Sequence, residues 1–352
     1  MIINSSLKKY KVEFSNSIDE SLSFELQQAC VIIIDENVFK LLDINTQKTI
    51  VDNNHFLINA NEKQKSYSEI ESLIKELIAL NFKKNNKIIC IGGGISQDIA
   101  AFISSIIFRG VDWVFFPTTL LAQADSCIGG KTSINIGEFK NQIGNFYPPS
   151  KVYIIPKFLR FLSELDFKSG MGEMLHFYLV SGKEDFKFYN QNYENAFKDD
   201  KALNALIKLN LQIKKRFIEE DEFDTGKRLL LNYGHSFGHA LESVTNYKIP
   251  HGIAVSYGMD IANYISVKLG LLDEETRDIV KKTIDKITLG IDISKISVEK
   301  FTKALSNDKK NIDKSYRLIL TRGIGKMEII KVEPSEMFNK WLEEYFYNYS
   351  NK

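Results

Sequence analysis

Lys87-Ile88-Ile89-Cys90-Ile91-Gly92-Gly93-Gly94 joins an apolar, β-branched run to a triple glycine. The run reads as a buried strand, the glycines as a tight turn, and residues 97–108 carry the periodicity of a helix. Working outward, Val31-Ile32-Ile33-Ile34 is a second such run that ends in Asp35-Glu36-Asn37, and residues 67–80 form a helical pattern between the two. On the other side, the aromatic run Trp113-Val114-Phe115-Phe116 leads into Pro117-Thr118-Thr119. Strands alternating with helices in this order predict βαβ units and a parallel sheet. Backbone amides of a glycine turn opening a helix can cradle a pyrophosphate. Gly92, Gly93 and Gly94 are therefore candidate cofactor contacts, and Asp98 could orient the turn or touch the same ligand. The turn departs from GxGxxG, because Gln97 occupies the last glycine position. Asp35 and Asn37 are placed to hydrogen-bond a ribose, although Asp and Asn also form ordinary turns.

Beyond residue 156 the pattern changes to long helical periods, over residues 201–222, 236–245, 253–269 and 274–287. The expected division is an α/β domain over residues 1–155 and a mainly α-helical domain over 156–352. The tail after Glu343, rich in Tyr, Asn and Ser, is expected to be loosely ordered.

Forty-six basic and forty-five acidic residues leave a net charge of +1 in 352 residues. No whole-chain field therefore favours nucleic acid or an anionic membrane, and local cations must do any anion binding. Cys30, Cys90 and Cys127 are too scattered for a disulfide framework or a thiolate zinc site, which fits a reducing compartment. The N-terminus lacks a basic region followed by an apolar run, and no stretch reaches the ~18 apolar residues of a membrane span. A cytoplasmic protein is expected.

Three of the five histidines fall in Asn232-Tyr233-Gly234-His235-Ser236-Phe237-Gly238-His239 and the following His251-Gly252. A fourth, His176, lies three residues after Glu173 in the Gly-rich stretch Ser169-Gly170-Met171-Gly172-Glu173-Met174-Leu175-His176, which reads as a turn leading into a helix. Imidazole and carboxylate together suit a divalent metal such as zinc, which in catalytic sites takes three protein ligands and keeps one position open. On a helix His235 and His239 share a face, so spacing alone would make both ligands. Gly234 and Gly238 remove bulk where a ligand or another backbone comes close. A hydrogen-bonded histidine pair would explain HxxxH equally well; Glu173 and His251 favour the metal.

Candidate anion contacts are more dispersed. Asp125-Ser126-Cys127-Ile128-Gly129-Gly130-Lys131-Thr132 is not a P-loop, since Asp125 stands where the first glycine is required. Lys131 after a glycine pair and Lys140-Asn141 still point to an anionic ligand. Lys214, Arg228, Lys309 and Lys310 add cations, each of which would alone read as a solvated charge.

Taken together, Gly92-Gly93-Gly94, Asp98, Arg109-Gly110, Pro117-Thr118-Thr119, Asp125-Ser126, Gly129-Gly130-Lys131, Lys140-Asn141, Glu173, Arg228, the 232–239 block and His251-Gly252 resemble the 3-dehydroquinate synthase family. The resemblance covers residues 30–325. That family is one of the sugar phosphate cyclases, whose fold is similar to that of glycerol dehydrogenase. The resemblance implies a Rossmann-like dinucleotide-binding domain, a mainly α-helical metal-binding domain, NAD⁺, and zinc or cobalt on Glu173, His235 and His251. It implies the shikimate-pathway conversion of DAHP, a seven-carbon keto acid phosphate, to 3-dehydroquinate and phosphate, through transient oxidation, elimination, reduction and ring closure. Lys131, Asn141, His239 and Lys309 or Lys310 would hold the phosphate, and Arg228 and Lys214 the carboxylate. Asp125 and Asn232 would contact substrate hydroxyls or cofactor, and Thr118, Thr119, Lys131 and Lys140 lie in blocks assigned to the cofactor side. A homodimer is implied, with Arg109 reaching across from a neighbouring subunit.

One departure stands out. The family pattern is Glu-x-x-Lys, whereas this chain has Glu173-Met174-Leu175-His176. Histidine is near neutral at pH 7 where lysine is a fixed cation. His176 could donate to substrate, join the metal at i,i+3 to Glu173, or be a tolerated substitution. Phe139, Phe161, Ser163 and Leu165 also replace the family's usual glycine, threonine, proline and arginine. Alternative readings are a related cyclase acting on another sugar phosphate, a polyol dehydrogenase on the same fold, and a non-catalytic NAD-binding scaffold.

Overall fold

The computed structural model describes residues 1–137, 139–288, 290–306 and 315–349. Its chain divides into two compact units, Met1–Leu162 with Lys214–Phe223, and Ser163–Ile213 with Asp224–Lys352.

The first unit contains β1 (Ile2–Ile3), β2 (Tyr10–Phe14), α1 (Ile18–Glu25), β3 (Cys30–Asp35), α2 (Glu36–Leu41), α3 (Ile44–Val51) and β4 (His55–Ile58). It continues through α4 (Tyr67–Ala79), β5 (Lys87–Gly92), α5 (Gly94–Ile106), β6 (Asp112–Pro117), β7 (Ile134–Ile136), β8 (Phe139–Ile143) and β9 (Lys151–Ile154). Seven strands form one sheet in the order β1-β2-β9-β6-β5-β3-β4, parallel throughout except for the β1–β2 pair. The continuous apolar runs predicted as strands are buried on both faces, as a parallel sheet between helices requires. Ile32, Ile34, Ile89, Ile91, Val114 and Phe116 fill one side of this core. After β3 the chain goes to β4 at the edge, then returns to place β5 on the other side of β3. The carboxyl ends of β3 and β5 therefore flank a reversal of strand order, where open α/β sheets bind ligands.

The second unit contains α6 (Glu164–Ser181), α7 (Lys183–Ala196), most of α8 (Asp200–Glu220), α9 (His235–Val244), α10 (His251–Lys268), α11 (Glu274–Thr288) and α12 (Val298–Ser306). A β10–β11 hairpin (Tyr316–Thr321 and Met327–Val332) and α13 (Glu336–Tyr349) follow. Every residue of α10 from Gly252 to Ser266 is buried, so this helix is the centre of the unit. Glycines set its packing. A β-carbon on Gly172 of α6 would stand 2.9 Å from the carbonyl carbon of Gly252, and one on Gly252 would overlap the carbonyl oxygen of Ser169. The helices thus meet backbone to backbone at the level of Glu173 and His251.

Two expectations are corrected, for the stretch 169–176 and for the tail, and a hairpin joins the helices. The stretch Ser169–His176 is the interior of α6, and its Gly172 serves this helix crossing instead of a turn. Residues 316–332 form a hairpin that turns at Gly323 and Gly325, both at positive φ. The described part of the tail, to Tyr349, is the end of a helix anchored by the buried stripe Phe338, Leu342, Tyr345 and Phe346 and by a hydrogen bond from Tyr345 to Asp260 at 2.9 Å. Among the described residues no helix is long and apolar enough to cross a membrane.

Candidate active site

Glu173 lies in the middle of α6, while His235 and His251 are the first residues of α9 and α10. Gly234, at φ 84°, caps α9 in the left-handed region and passes close to Met259 of α10, so the turn that delivers His235 depends on the absence of a side chain. One donor atom from each of Glu173, His235 and His251 falls within 4.8 Å of the others. His235 Nε2 is 3.4 Å from Glu173 Oε1, and His251 Nε2 is 3.5 Å from Glu173 Oε2. The opposite ring nitrogens are engaged elsewhere: His235 Nδ1 faces the Tyr233 carbonyl at 3.4 Å, and His251 Nδ1 meets Glu242 Oε2 at 3.1 Å. Such outer contacts fix the tautomer and leave Nε2 lone pairs directed at one point.

The electrostatics agree with a cation site. Burial pushes the Glu173 carboxyl upward, but the neighbouring His235, His251 and His176 outweigh it and hold the group well below the usual carboxylate range. Burial lowers the His235 imidazole despite Glu173 beside it, which favours the neutral, ligand-competent form. Glu173 Oε2 is buried without a hydrogen-bond partner, a costly arrangement for a carboxylate oxygen unless a cation takes it. The residues present therefore fit a divalent metal with a His₂Glu set.

A second donor group, His239, Glu242 and His251, shares one histidine with the first. Neither group contains both His235 and His239, so the i,i+4 spacing does not translate into paired ligands. His239 is exposed, its ring centroid 5.6 Å from that of His235 and 5.7 Å from that of His251. His176 belongs to neither group. It is 1% exposed and lies 3.2 Å from Glu173 Oε1 through Nε2. Arg228 is 4% exposed in a 3₁₀ turn before α9, and Asn232 in the same turn donates to the Leu229 carbonyl at 3.0 Å.

In the first unit, Gly92, Gly93 and Gly94 sit at the carboxyl end of β5 and open α5. Gly93 caps that helix without a side-chain hydrogen bond, and a β-carbon on Gly94 would meet nothing within 4 Å. Around the turn, the hydroxyls of Ser96 and Thr118 are buried and without partners. An open helix N-terminus beside unsatisfied hydroxyls fits a dinucleotide pyrophosphate. Asp35 and Thr119 already serve local turns: Asp35 accepts from Asn37 N at 2.9 Å, and Thr119 Oγ1 from Ala122 N at 3.2 Å.

Asp98 is brought together with Lys65 at 2.5 Å, and Lys65 donates to Asn141 Oδ1 at 2.7 Å. Burial, only partly offset by Lys65, raises the Asp98 carboxyl to about 6. Lys140 reaches Glu62 at 3.6 Å. Lys65 and Glu62 are the members of this cluster that sequence reading missed. They precede α4 without any strand-end or glycine signal, and only the fold carries Lys65 to Asn141 and Glu62 to Lys140. Lys214 pairs with Asp125, at 2.8 Å to Oδ1 and 2.6 Å to the backbone carbonyl, joining two residues that spacing had kept apart. Lys131 is exposed. Arg109 is exposed too, in a turn where Phe108, Arg109 and Gly110 all have positive φ and Lys84 binds the carbonyls of Phe108 and Gly110. Lys309 and Lys310 lie outside the described residues.

Comparison with known proteins agrees over most of the chain. The family models for the N-terminal and C-terminal parts of 3-dehydroquinate synthase match residues 55–169 and 170–311. The 3-dehydroquinate synthase of Dictyoglomus turgidum is 39% identical over 286 residues, 80% of each protein. That of Helicobacter pylori is 34% identical over 342 residues, 96% of this chain and 97% of its own length. In fold, the chain is similar to 2-epi-5-epi-valiolone synthase from Streptomyces hygroscopicus, solved with NAD⁺ and Zn²⁺ bound, with a TM-score of 0.82, 22% identity and 99% of both chains covered. On these matches, which run through the glycine turn and the histidine cluster alike, the chain belongs to the 3-dehydroquinate synthase family.

Proposed function

We propose that this chain is an NAD⁺- and divalent-metal-dependent 3-dehydroquinate synthase that converts DAHP to 3-dehydroquinate and phosphate. The observation that carries the reading is the convergence of half-buried His235 and His251 on buried Glu173, with an unpartnered carboxylate oxygen, inside the segment matched by the family model. When bound, NAD⁺ accepts and returns a hydride, and the metal polarises the substrate oxygens and lowers the pKa of a bound hydroxyl.

The protein's own part is binding and orientation. Glu173, His235 and His251 would hold the metal, zinc or cobalt being the expected ions. Gly92, Gly93, Gly94, Thr118 and Asp98 would take the dinucleotide, with Asp35 and Asn37 at its ribose. The buried guanidinium of Arg228 offers a planar fork for the substrate carboxylate, which favours an acidic sugar phosphate over a neutral one. Lys214 is engaged with Asp125, so its share in the carboxylate site would come with displacement of that partner or through Asp125 itself. Lys131, Asn141 and His239 would hold the phosphate, neutralising charge as it leaves. Arg109, on its strained outward turn, would serve the site of a second copy in a homodimer.

Incubating the purified protein with DAHP, NAD⁺ and zinc while following phosphate release tests the reading. Release dependent on both NAD⁺ and metal is expected. Its absence with DAHP, alongside turnover of a neutral sugar phosphate, would move the chain to another cyclase activity.

A further inference from the structure

His176 is one of the most deeply buried polar side chains of the second unit, and only one of its two ring nitrogens has a partner. Nε2 lies 3.2 Å from Glu173 Oε1, whereas Nδ1 is buried without a hydrogen bond. The ring is packed in place, its centroid 3.9 Å from that of Phe177 and 5.0 Å, edge to face, from that of His235. An ionised carboxylate only accepts hydrogen bonds, so the proton between His176 and Glu173 belongs to Nε2. Nδ1 then carries a lone pair, and the orphaned atom is an acceptor in place of a buried N–H.

The two oxygens of Glu173 are thereby made unequal. Oε1 receives the N–H of His176 and lies 3.4 Å from His235 Nε2, while Oε2 is the buried oxygen without a partner and faces His251 at 3.5 Å. Resting on the metal reading of Glu173, His235 and His251, we infer that His176 is a positioning residue: its Nε2–H holds Oε1 and presents Oε2 to the divalent cation. It acts through Glu173 and is not itself a ligand, in keeping with its absence from both donor groups. Outer hydrogen bonds of this kind change metal affinity by about 10–100-fold when lost.

Side-chain length provides the test. The amide nitrogen of glutamine is as many bonds from Cα as histidine Nε2, whereas that of asparagine matches Nδ1. Glutamine therefore keeps a donor within reach of Glu173, and asparagine and leucine do not. Co²⁺ affinity, from competition with a chromophoric chelator, and the visible Co²⁺ absorption spectrum are measured without NAD⁺ or substrate. The proteins are the parent, Glu173→Gln, His176→Gln, His176→Asn and His176→Leu, with folding checked by circular dichroism. His176→Gln should bind Co²⁺ close to the parent value with the parent spectrum. His176→Asn and His176→Leu should weaken binding about 10–100-fold and alter the spectrum as the carboxylate changes its mode.

Parent-like affinity in His176→Asn and His176→Leu, or equal losses in all three His176 variants, would overturn the positioning role. Should the leucine variant fail to fold, the glutamine–asparagine comparison decides alone. Undiminished binding in Glu173→Gln would instead show that the metal sits elsewhere, and would remove the site reading together with this inference.

Discussion

Glu242 Oε2 accepts from His251 Nδ1 at 3.1 Å, which turns the Nε2 of the same ring toward Glu173. The carboxylate sits nine residues before the histidine, on the helix that begins with His235, so one element supplies a candidate ligand and the group that orients another. Glu242→Ala should weaken divalent metal binding about 10–100-fold without unfolding the protein. Glu242→Gln, which keeps an acceptor, should recover part of that loss. Isothermal titration with Zn²⁺ checks both, and equal affinities for all three proteins would show that Glu242 does not orient His251.

The crossing of α6 and α10 leads to a second prediction. Gly252→Ala puts a β-carbon into the Ser169 carbonyl and within 2.9 Å of Glu173 N, and backbone on a packed helix has nowhere to yield. Destabilisation of about 1–3 kcal/mol is expected from the overpacking, and more if the helices cannot separate. Because the displaced segment carries Glu173, metal affinity should fall with stability. Gly94→Ala, which meets nothing within 4 Å, should cost far less in denaturant unfolding and serves as the comparison.

What the sequence made legible followed from short-range physics. Apolar runs closed by glycine or acidic residues announced β3 and β5, and 3.6-residue periods announced the later helices. Histidine concentration pointed to the candidate donor cluster. What stayed hidden depended on distance in space. Spacing could not separate His235 from His239: with Glu173 on α6, His235 joins one donor group, while His239 falls in a second with Glu242. Gly172 reads as a turn residue in the sequence, since a close helix crossing and a tight turn use glycine for the same lack of a side chain. Lys65 and the Lys214–Asp125 pair needed contacts across 76 and 89 residues, for which no local pattern exists. The tail misled by composition: its Tyr, Asn and Ser conceal the buried stripe from Phe338 to Phe346.

His251→Ala should reduce bound metal to background, as measured by elemental analysis after dialysis against dilute zinc. The site would keep only Glu173 and His235, too few for a tight divalent site. Undiminished metal content would remove His251 from the ligand set.

Arg228→Ala should raise KM for DAHP strongly, since leaving a carboxylate without its bidentate partner in a buried site costs on the order of 2–5 kcal/mol. Steady-state kinetics with and without the substitution, with KM read apart from kcat, separate this from a folding defect, which lowers kcat through the active fraction and leaves KM unchanged. Kinetics equal to the parent's would show that the carboxylate is held elsewhere.

Asp98 gives a prediction in pH. Its carboxyl ordinarily titrates near 3.8 and is raised to about 6 in the folded protein, because burial outweighs the attraction of Lys65. A folded-state value above the unfolded one means that the native protein binds the proton more tightly, so stability falls as pH rises from about 4 to about 6 and levels off above. The rise corresponds to about 3 kcal/mol. Asp98→Asn removes the titration, and the stability profile of the NAD⁺-free protein should lose that part of its decline. Denaturant unfolding of both proteins at intervals between pH 4 and 7 measures the difference directly. A parent-minus-variant stability that stays constant over this window would show that Asp98 is ionised throughout, with Lys65 as the dominant influence on it.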